Sequence, residues 1–306
     1  MVGRSLTLSI FCHAVLLVGA AAVCLPLYFA LVAGSLTLQE VQQTPFPLLP
    51  GAHLVDNLAT AWNEGNFSRA FLNSIIVTLG IVVGKLVVSL LAAFAITYFR
   101  FPFRMTAFWL IFVSLMLPVE VRIIPTYEAV ADAGGPLRWV VGTIGLSGLV
   151  ESLTGYRLEA ALQWNLVNSY AGLILPLIAS ASATFLFRQF FLTVPDELCE
   201  AAKLDGAGPL RFFWHVLLPL SRANIAALGI ILFLFGWNQY LWPLLFTTGP
   251  EMQTAILGLK ELVPVSDAAP AWNIAMSAAL FVMLPPALVI LVMQRWFTRG
   301  LVDAGK

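Results

Sequence analysis

An all-α integral membrane fold with six transmembrane helices is predicted by three observations. The 306-residue chain is 60% hydrophobic and 10% charged, where soluble domains carry roughly 25% charged residues. A soluble fold of this length cannot bury so much apolar surface, and the mean hydropathy of +0.90 agrees. Six segments reach the ~20 apolar residues that a helix needs to cross the hydrocarbon. Finally, Lys and Arg are shared unequally among the stretches between them.

The spans fall at about 9–33, 71–99, 106–127, 168–191, 223–247 and 272–297. The first begins like a signal peptide, with Arg4, an apolar run and Ala20-Ala21-Ala22. Its apolar character continues to Ala33, well past the ~7–15 residues of such a core, so an uncleaved span is expected. With the N-terminus inside, the inner side holds Arg4, Arg100, Arg104, Arg188, Lys203, Arg211, Arg222, Arg295, Arg299 and Lys306. The outer loops hold Arg69, Arg138, Arg157 and Lys260. This asymmetry places both termini in the cytoplasm. Trp62, Trp164, Trp242 and Trp272 fall near outer boundaries, and Trp109, Trp214 and Trp296 near inner ones, as interfacial belts do.

Prolines interrupt the spans at positions 26, 118, 125, 176, 243, 285 and 286. Each frees a carbonyl and bends its helix. Bent helices suit a cavity that opens to alternate sides; ordinary membrane packing accounts for them equally well. Gly80 and Gly84 precede Lys85 in a pattern resembling a phosphate loop. It is one residue short, lacks the Ser or Thr after the lysine and lies within a span, so close helix packing is expected instead. The outer stretch 128–167 has an apolar middle, Leu137 to Leu153, too short to span and holding Glu151. A surface-lying helix is expected there.

Stretch 192–222 is a polar island between two spans, on the cytoplasmic side. It reads as two short helices. The first is capped by Thr193 or Asp196, has Pro195 in its first turn, and runs through Glu197–Leu204 to a stop at Gly206. Asp205-Gly206-Ala207-Gly208-Pro209 is a turn cluster. The second helix, Leu210–Leu218, ends before Pro219 and carries Phe212, Phe213, Val216 and Leu217. Apolar side chains exposed on a cytosolic elbow need a partner; an amphipathic loop lying on its own membrane is the alternative.

Within the island, Glu200-Ala201-Ala202, Gly206, Val216, Leu218 and Pro219 form the pattern E-A-A-x3-G-x9-V-x-L-P. It resembles the EAA coupling loop of permease subunits in bacterial ABC importers, with Val216 where Ile is more usual. Gly236-Trp237-Asn238-Gln239-Tyr240-Leu241-Trp242-Pro243 is similar to a segment of the carbohydrate-type (maltose-like) members. Asn73-Ser74, Gln294-Arg295 and Arg299-Gly300-Leu301 fit that family too. Leu117-Pro118-Val119-Glu120-Val121-Arg122 and Phe185-Leu186-Phe187-Arg188-Gln189-Phe190-Phe191 look closer still to the second membrane subunit of sn-glycerol-3-phosphate importers. The resemblance covers the chain except about 136–163, which looks like a periplasmic insertion.

The resemblance implies a single permease domain, 1–306, of type I ABC importer architecture in the bacterial inner membrane. It implies a second homologous permease, a dimeric cytosolic ABC ATPase and a periplasmic substrate-binding protein as partners. Glu200 would pair with a basic residue of the ATPase, Gly206 would permit the sharp turn, and Ala201 and Ala202 would allow close packing. The chain itself would bind no cofactor, since ATP and magnesium belong to the ATPase, and it would not be an enzyme. The implied cargo is sn-glycerol-3-phosphate or a related glycerophosphodiester; a neutral sugar or oligosaccharide is the alternative.

Ionisable residues inside the spans point to a pathway. Lys85 lies near the middle of the second span, and Glu120 and Arg122 in the outer half of the third. A charge at the bilayer centre costs ~2.5–3.5 kcal/mol on insertion scales and faces a cavity or a partner. Either Lys85 and Arg122 hold a phosphate in transit, or Lys85 pairs with Glu120 while Arg122 snorkels outward. Asn238 and Gln239 offer uncharged amides to a hydroxyl-bearing substrate. An ion-coupled secondary transporter would show inverted repeats and paired broken helices, and an intramembrane enzyme a nucleophile–base or metal set; neither pattern is evident. Net charge is zero, so no nucleic-acid partner is expected. The three cysteines suggest no disulfide framework.

Overall fold

The computed structural model describes residues 6–263 and 271–303; the side chains of Leu115, Val119, Glu120, Glu159 and 295–303 lie outside that description. Arg4 and Lys306, the side chains of Arg295, Trp296 and Arg299, and the Arg299-Gly300-Leu301 side chains therefore fall outside the described residues. Every regular element among the described residues is helical.

Three helices are long and apolar enough to cross a bilayer unaided: Leu6–Ser35, Phe67–Tyr98 and Trp272–Gln294. Two bent pairs pass the same test together. Tyr170–Leu177 joins Ala181–Phe191 at 46°, and Pro209–Leu220 joins Arg222–Trp237 at 72°.

The expected run 106–127 is not one helix. It divides into Arg104–Val113, a 3-10 turn at Ser114–Met116, and a second helix, Val119–Ala131. Pro118 is the cause. Its ring drives the preceding residue out of the helical region, and Leu117 sits at φ −77°, ψ 119°. Pro125, by contrast, is carried inside its helix. Proline also shapes the fifth expected span. Pro243 has no N–H for the carbonyl of Gln239 and would crowd it. The helix Arg222–Trp237 accordingly stops, and Leu241–Phe246 begins anew.

The segment 137–153 forms two helices rather than one, Gly135–Thr143 and Leu146–Thr154. Gly145 breaks them with a left-handed φ of 72°. Arg138 anchors the first helix by pairing with Asp132 at 2.7 Å through Nη1, and Arg157 donates to Glu151 at 3.1 Å.

The chain gathers into two compact units, one made of 1–70 with 255–285 and the other of 71–254 with 286–306. In the first, Gly34 lets two helices approach closely. A Cβ there would lie 2.9 Å from Ser277 Oγ, and that hydroxyl donates to the Gly34 carbonyl at 3.0 Å. Buried Asn57 donates to the carbonyls of Gly34 and Leu36, both at 2.8 Å, and accepts from Asn273 Nδ2 at 3.0 Å. These bonds satisfy carbonyls at the carboxy-terminal end of Leu6–Ser35, whose remaining length is largely exposed and apolar. A helix of that pattern belongs in lipid.

In the second unit the long helix is the hub. Gly80 and Gly84 face Ile174 and Ile178, where a Cβ would come within 2.6 and 2.3 Å of those side chains. The small-residue spacing thus serves helix packing, as its sequence suggested. Asn73, 1% exposed, donates to the carbonyls of Glu251 at 2.9 Å and Gln253 at 2.8 Å and accepts from the Tyr170 hydroxyl at 2.6 Å. One amide thereby ties a loop and a second helix to the hub.

Candidate functional site

The polar island folds into the expected elbow, with corrected details. Its first helix is Asp196–Leu204, entered through Pro195; neither Thr193 nor Asp196 caps it. Thr193 instead donates its hydroxyl back to Phe190. Asp196 and Glu197 occupy the first turn and Lys203 the last, an arrangement favoured by the helix dipole. The helix closes in a Schellman motif. Ala207 N–H donates to the Ala202 carbonyl at 2.8 Å and Gly206 N–H to the Lys203 carbonyl at 3.0 Å. The motif needs a left-handed residue between them, and Gly206 supplies it at φ 72°.

The second helix does not end before Pro219. Pro209–Phe212 passes into a π-helical stretch, Phe213–Leu217, and on through Leu218–Leu220. The wider π turns shift the register ahead of Pro219, and the chain bends only at Ser221. The expectation that Phe212, Phe213 and Leu217 await a partner is also overturned. They are 5%, 4% and 0% exposed, packed in a core with Leu90, Phe94, Phe187, Phe191 and Ala202. Rings of Phe94 and Phe213 lie 4.9 Å apart, and those of Tyr98 and Phe212 5.3 Å apart.

The face left open is different. Leu204, Leu210 and Trp214 are 89%, 67% and 60% exposed, and Glu200, Ala201, Lys203 and Arg211 are exposed beside them. Of the motif residues, Ala202 is buried against the core while Val216 and Leu218 pack at its margin. Pro219 borders a surface hollow with Trp214 and Arg222.

The pathway residues divide. Lys85, Arg122 and Gln239 line one cavity of about 440 Å³, together with Ser182, Phe235 and Trp242. Lys85 is 6% exposed, and its Nζ lies 3.5 Å from the centre of the Phe235 ring. Gln239 donates to the Phe235 carbonyl at 3.0 Å, which fixes its amide. Asn238 is exposed and is not among the lining residues. The Glu120 side chain lies outside the described residues, and no ion pair of Lys85 is present among them. Trp242 was placed in an outer aromatic belt; it is instead 5% exposed and stacked on Phe246 at 3.8 Å.

Two structural features were not read from sequence. The break in the fourth span puts the start of Ala181–Phe191 at the cavity wall, with Ser180 as its N-cap at φ −141°. The indole Nε1 of Trp242 is buried without a hydrogen-bond partner. Pro176 ahead of Ser180 carried the first signal in sequence; nothing in sequence carried the second.

Comparison with known proteins follows this geometry. Residues 68–303 match the family described as binding-protein-dependent transport system inner membrane component. The chain is 50% identical over 305 residues to the sn-glycerol-3-phosphate transport system permease protein UgpE of Pectobacterium atrosepticum, with 98% of each chain covered. It is 48% identical to the protein of that name in Yersinia pestis, again with 98% of each covered. For Agrobacterium fabrum the identity is 47%, with 97% of each covered. Among solved structures, a chain from a bacterial ABC transporter involved in the import of the acidic polysaccharide alginate superposes with a TM-score of 0.74 at 19% identity, covering 97% of this chain and 99% of that one. The fold is therefore that of an ABC permease, and the chain belongs to the binding-protein-dependent transport system inner membrane components.

Proposed function

We propose that this chain is a permease subunit of an ATP-driven importer of sn-glycerol-3-phosphate. The observation that carries the cargo is the 46–50% identity, over nearly the whole chain, to relatives named for that transport system. The elbow supports the coupling role. Its inner face is locked to the long helix by Phe94–Phe213 and Tyr98–Phe212 packing, and its outer face offers Glu200, Leu204, Leu210 and Trp214. A dimeric cytosolic ATPase docks there, with Glu200 meeting a basic side chain. A second homologous permease completes the pathway, and a periplasmic binding protein delivers cargo to the outer side.

In this reading the chain crosses the membrane six times, with both termini in the cytoplasm; the discontinuous segments 104–131, 170–191 and 222–246 count as one crossing each. Irregular backbone at membrane depth is tolerated where it lines a cavity, and here Ser114, Ser180 and Gln239, at or beside the three breaks, all line the same one. Closure of the ATPase dimer moves the elbow. The rigid core passes that motion to the long helix, and Lys85 lies nine residues, about 13 Å, from Phe94 along it. The cavity is then exposed to alternate sides.

The test is stimulation of ATP hydrolysis in the assembled complex. Binding protein loaded with sn-glycerol-3-phosphate should raise the rate, and binding protein offered neutral sugars should not. Equal stimulation by a sugar would reassign the cargo.

A further inference from the structure

We propose that the cavity of the second unit holds a seat for the phosphate of the cargo, built from Lys85, Arg122 and the amino-terminal turn of Ala181–Phe191. This rests on the glycerol-3-phosphate reading above and names which atoms of this chain meet the ligand.

The charge balance of the wall argues first. Among the described residues, two cationic side chains, Lys85 and Arg122, line the cavity, and no Asp or Glu does. Lys85 is buried, and its ammonium rests on the face of Phe235. A ring face attracts a cation but leaves its formal charge uncancelled. Two positive charges on one wall suit a phosphate monoester, whose charge near neutral pH is about −1.5 to −2.

The broken helix argues second and independently. Ala181–Phe191 has eleven residues, and its first turn, Ala181, Ser182 and Thr184, lines the same cavity. Its first amides have no acceptor within the helix. Ser180 Oγ takes only the Ala183 amide, which leaves those of Ala181 and Ser182. A helix start with open amides at a cavity wall favours an anion, and half-helix ends of this kind meet anionic substrate groups in transporters.

The experiment uses the full complex, purified with its partner subunits and binding protein. It measures labelled sn-glycerol-3-phosphate retained per complex after trapping with ATP and vanadate, and cargo imported per ATP in vesicles. Wild-type complex that neither retains nor imports the label sinks the cargo reading itself. If wild type succeeds, Lys85→Met and Arg122→Gln should each cut retained cargo and cargo per ATP about tenfold or more, as expected for a lost charge-assisted bond. A merely structural role lowers the yield of complex but leaves cargo per complex unchanged; that result overturns the seat. Lys85→Met with Glu120→Gln covers the case where Lys85→Met alone fails to assemble. Recovery of assembly without retained cargo supports the seat, and recovery of both contradicts it. Lipid phosphate co-purifying with cargo-free wild-type complex, and lost in Lys85→Met, would assign the seat to a headgroup instead and equally overturn it.

Discussion

The rings of Phe94 and Phe213 meet at 4.9 Å, tilted by 46°, and this contact joins the elbow 196–220 to the helix that carries Lys85. Both residues are under 5% exposed. Aromatic pairs of this geometry add about 0.5–1.5 kcal/mol beyond their area burial. A joint so packed moves as one piece, because well-packed interiors deform little. Phe213→Ala should therefore cost about 3–5 kcal/mol and loosen the joint. The expected outcome is a complex that still binds the ATPase but hydrolyses more ATP per cargo moved. Thermal unfolding and the ATP-to-cargo ratio, measured on one preparation, check the two halves.

Gly206 is the second point of failure. Its φ of 72° is held by the bonds from Ala207 and Gly206 to the preceding turn. A Cβ at this position would meet nothing within 4 Å, so the cost of a side chain is conformational, about 1–2 kcal/mol. Gly206→Ala should weaken co-purification of the ATPase, and Gly206→Asn should weaken it less, since Asn tolerates the left-handed region. Equal loss from both would point to crowding by the partner rather than to the turn.

Asn73 offers a prediction about stability alone. Asn73→Ala removes the amide that two carbonyls and the Tyr170 hydroxyl use, in a part-buried site. Each unsatisfied group costs about 1–3 kcal/mol. The variant should show a lowered melting temperature and proteolytic cleavage near 247–254, the loop those bonds hold. Unchanged melting would mean that water takes the place of the amide.

Topology can be read chemically. In a background lacking Cys12, Cys24 and Cys199, cysteines at Phe101 and Ala207 should resist a membrane-impermeant thiol reagent added outside. One at Trp62 should react. Labelling of Ala207→Cys from outside would invert the orientation derived from the Lys and Arg count.

Much of this was legible in the chain because local rules decide it. The Gly206 turn follows from one residue type and its neighbours, and the Gly80–Gly84 packing from spacing alone. Pro118 was misread in degree: a proline in an apolar run signals a bend or a break equally, and the stretch after it decides. Here the helix had to restart at Val119, while at Pro125 it did not. Phe212, Phe213 and Leu217 were expected to be exposed and are buried, because burial of a short apolar helix depends on what the rest of the chain lays against it. Phe94, Tyr98 and Phe191 are over twenty residues away in sequence or more. Trp242 shows the same limit, since a tryptophan at a span boundary and one in a core read alike until its partner Phe246 is placed. Asn238 and Gln239 are adjacent, yet a helix end turns one into the cavity and the other away.

The most direct measurement is uptake of labelled sn-glycerol-3-phosphate into vesicles carrying the full complex, with ATP inside and loaded binding protein outside. Wild type should accumulate the label only when ATP is present, and excess neutral sugar should not compete. Glu200→Lys should insert and purify normally yet lose the ATPase and the uptake together. Uptake without ATP, or undiminished ATPase docking and uptake in Glu200→Lys, would contradict the account.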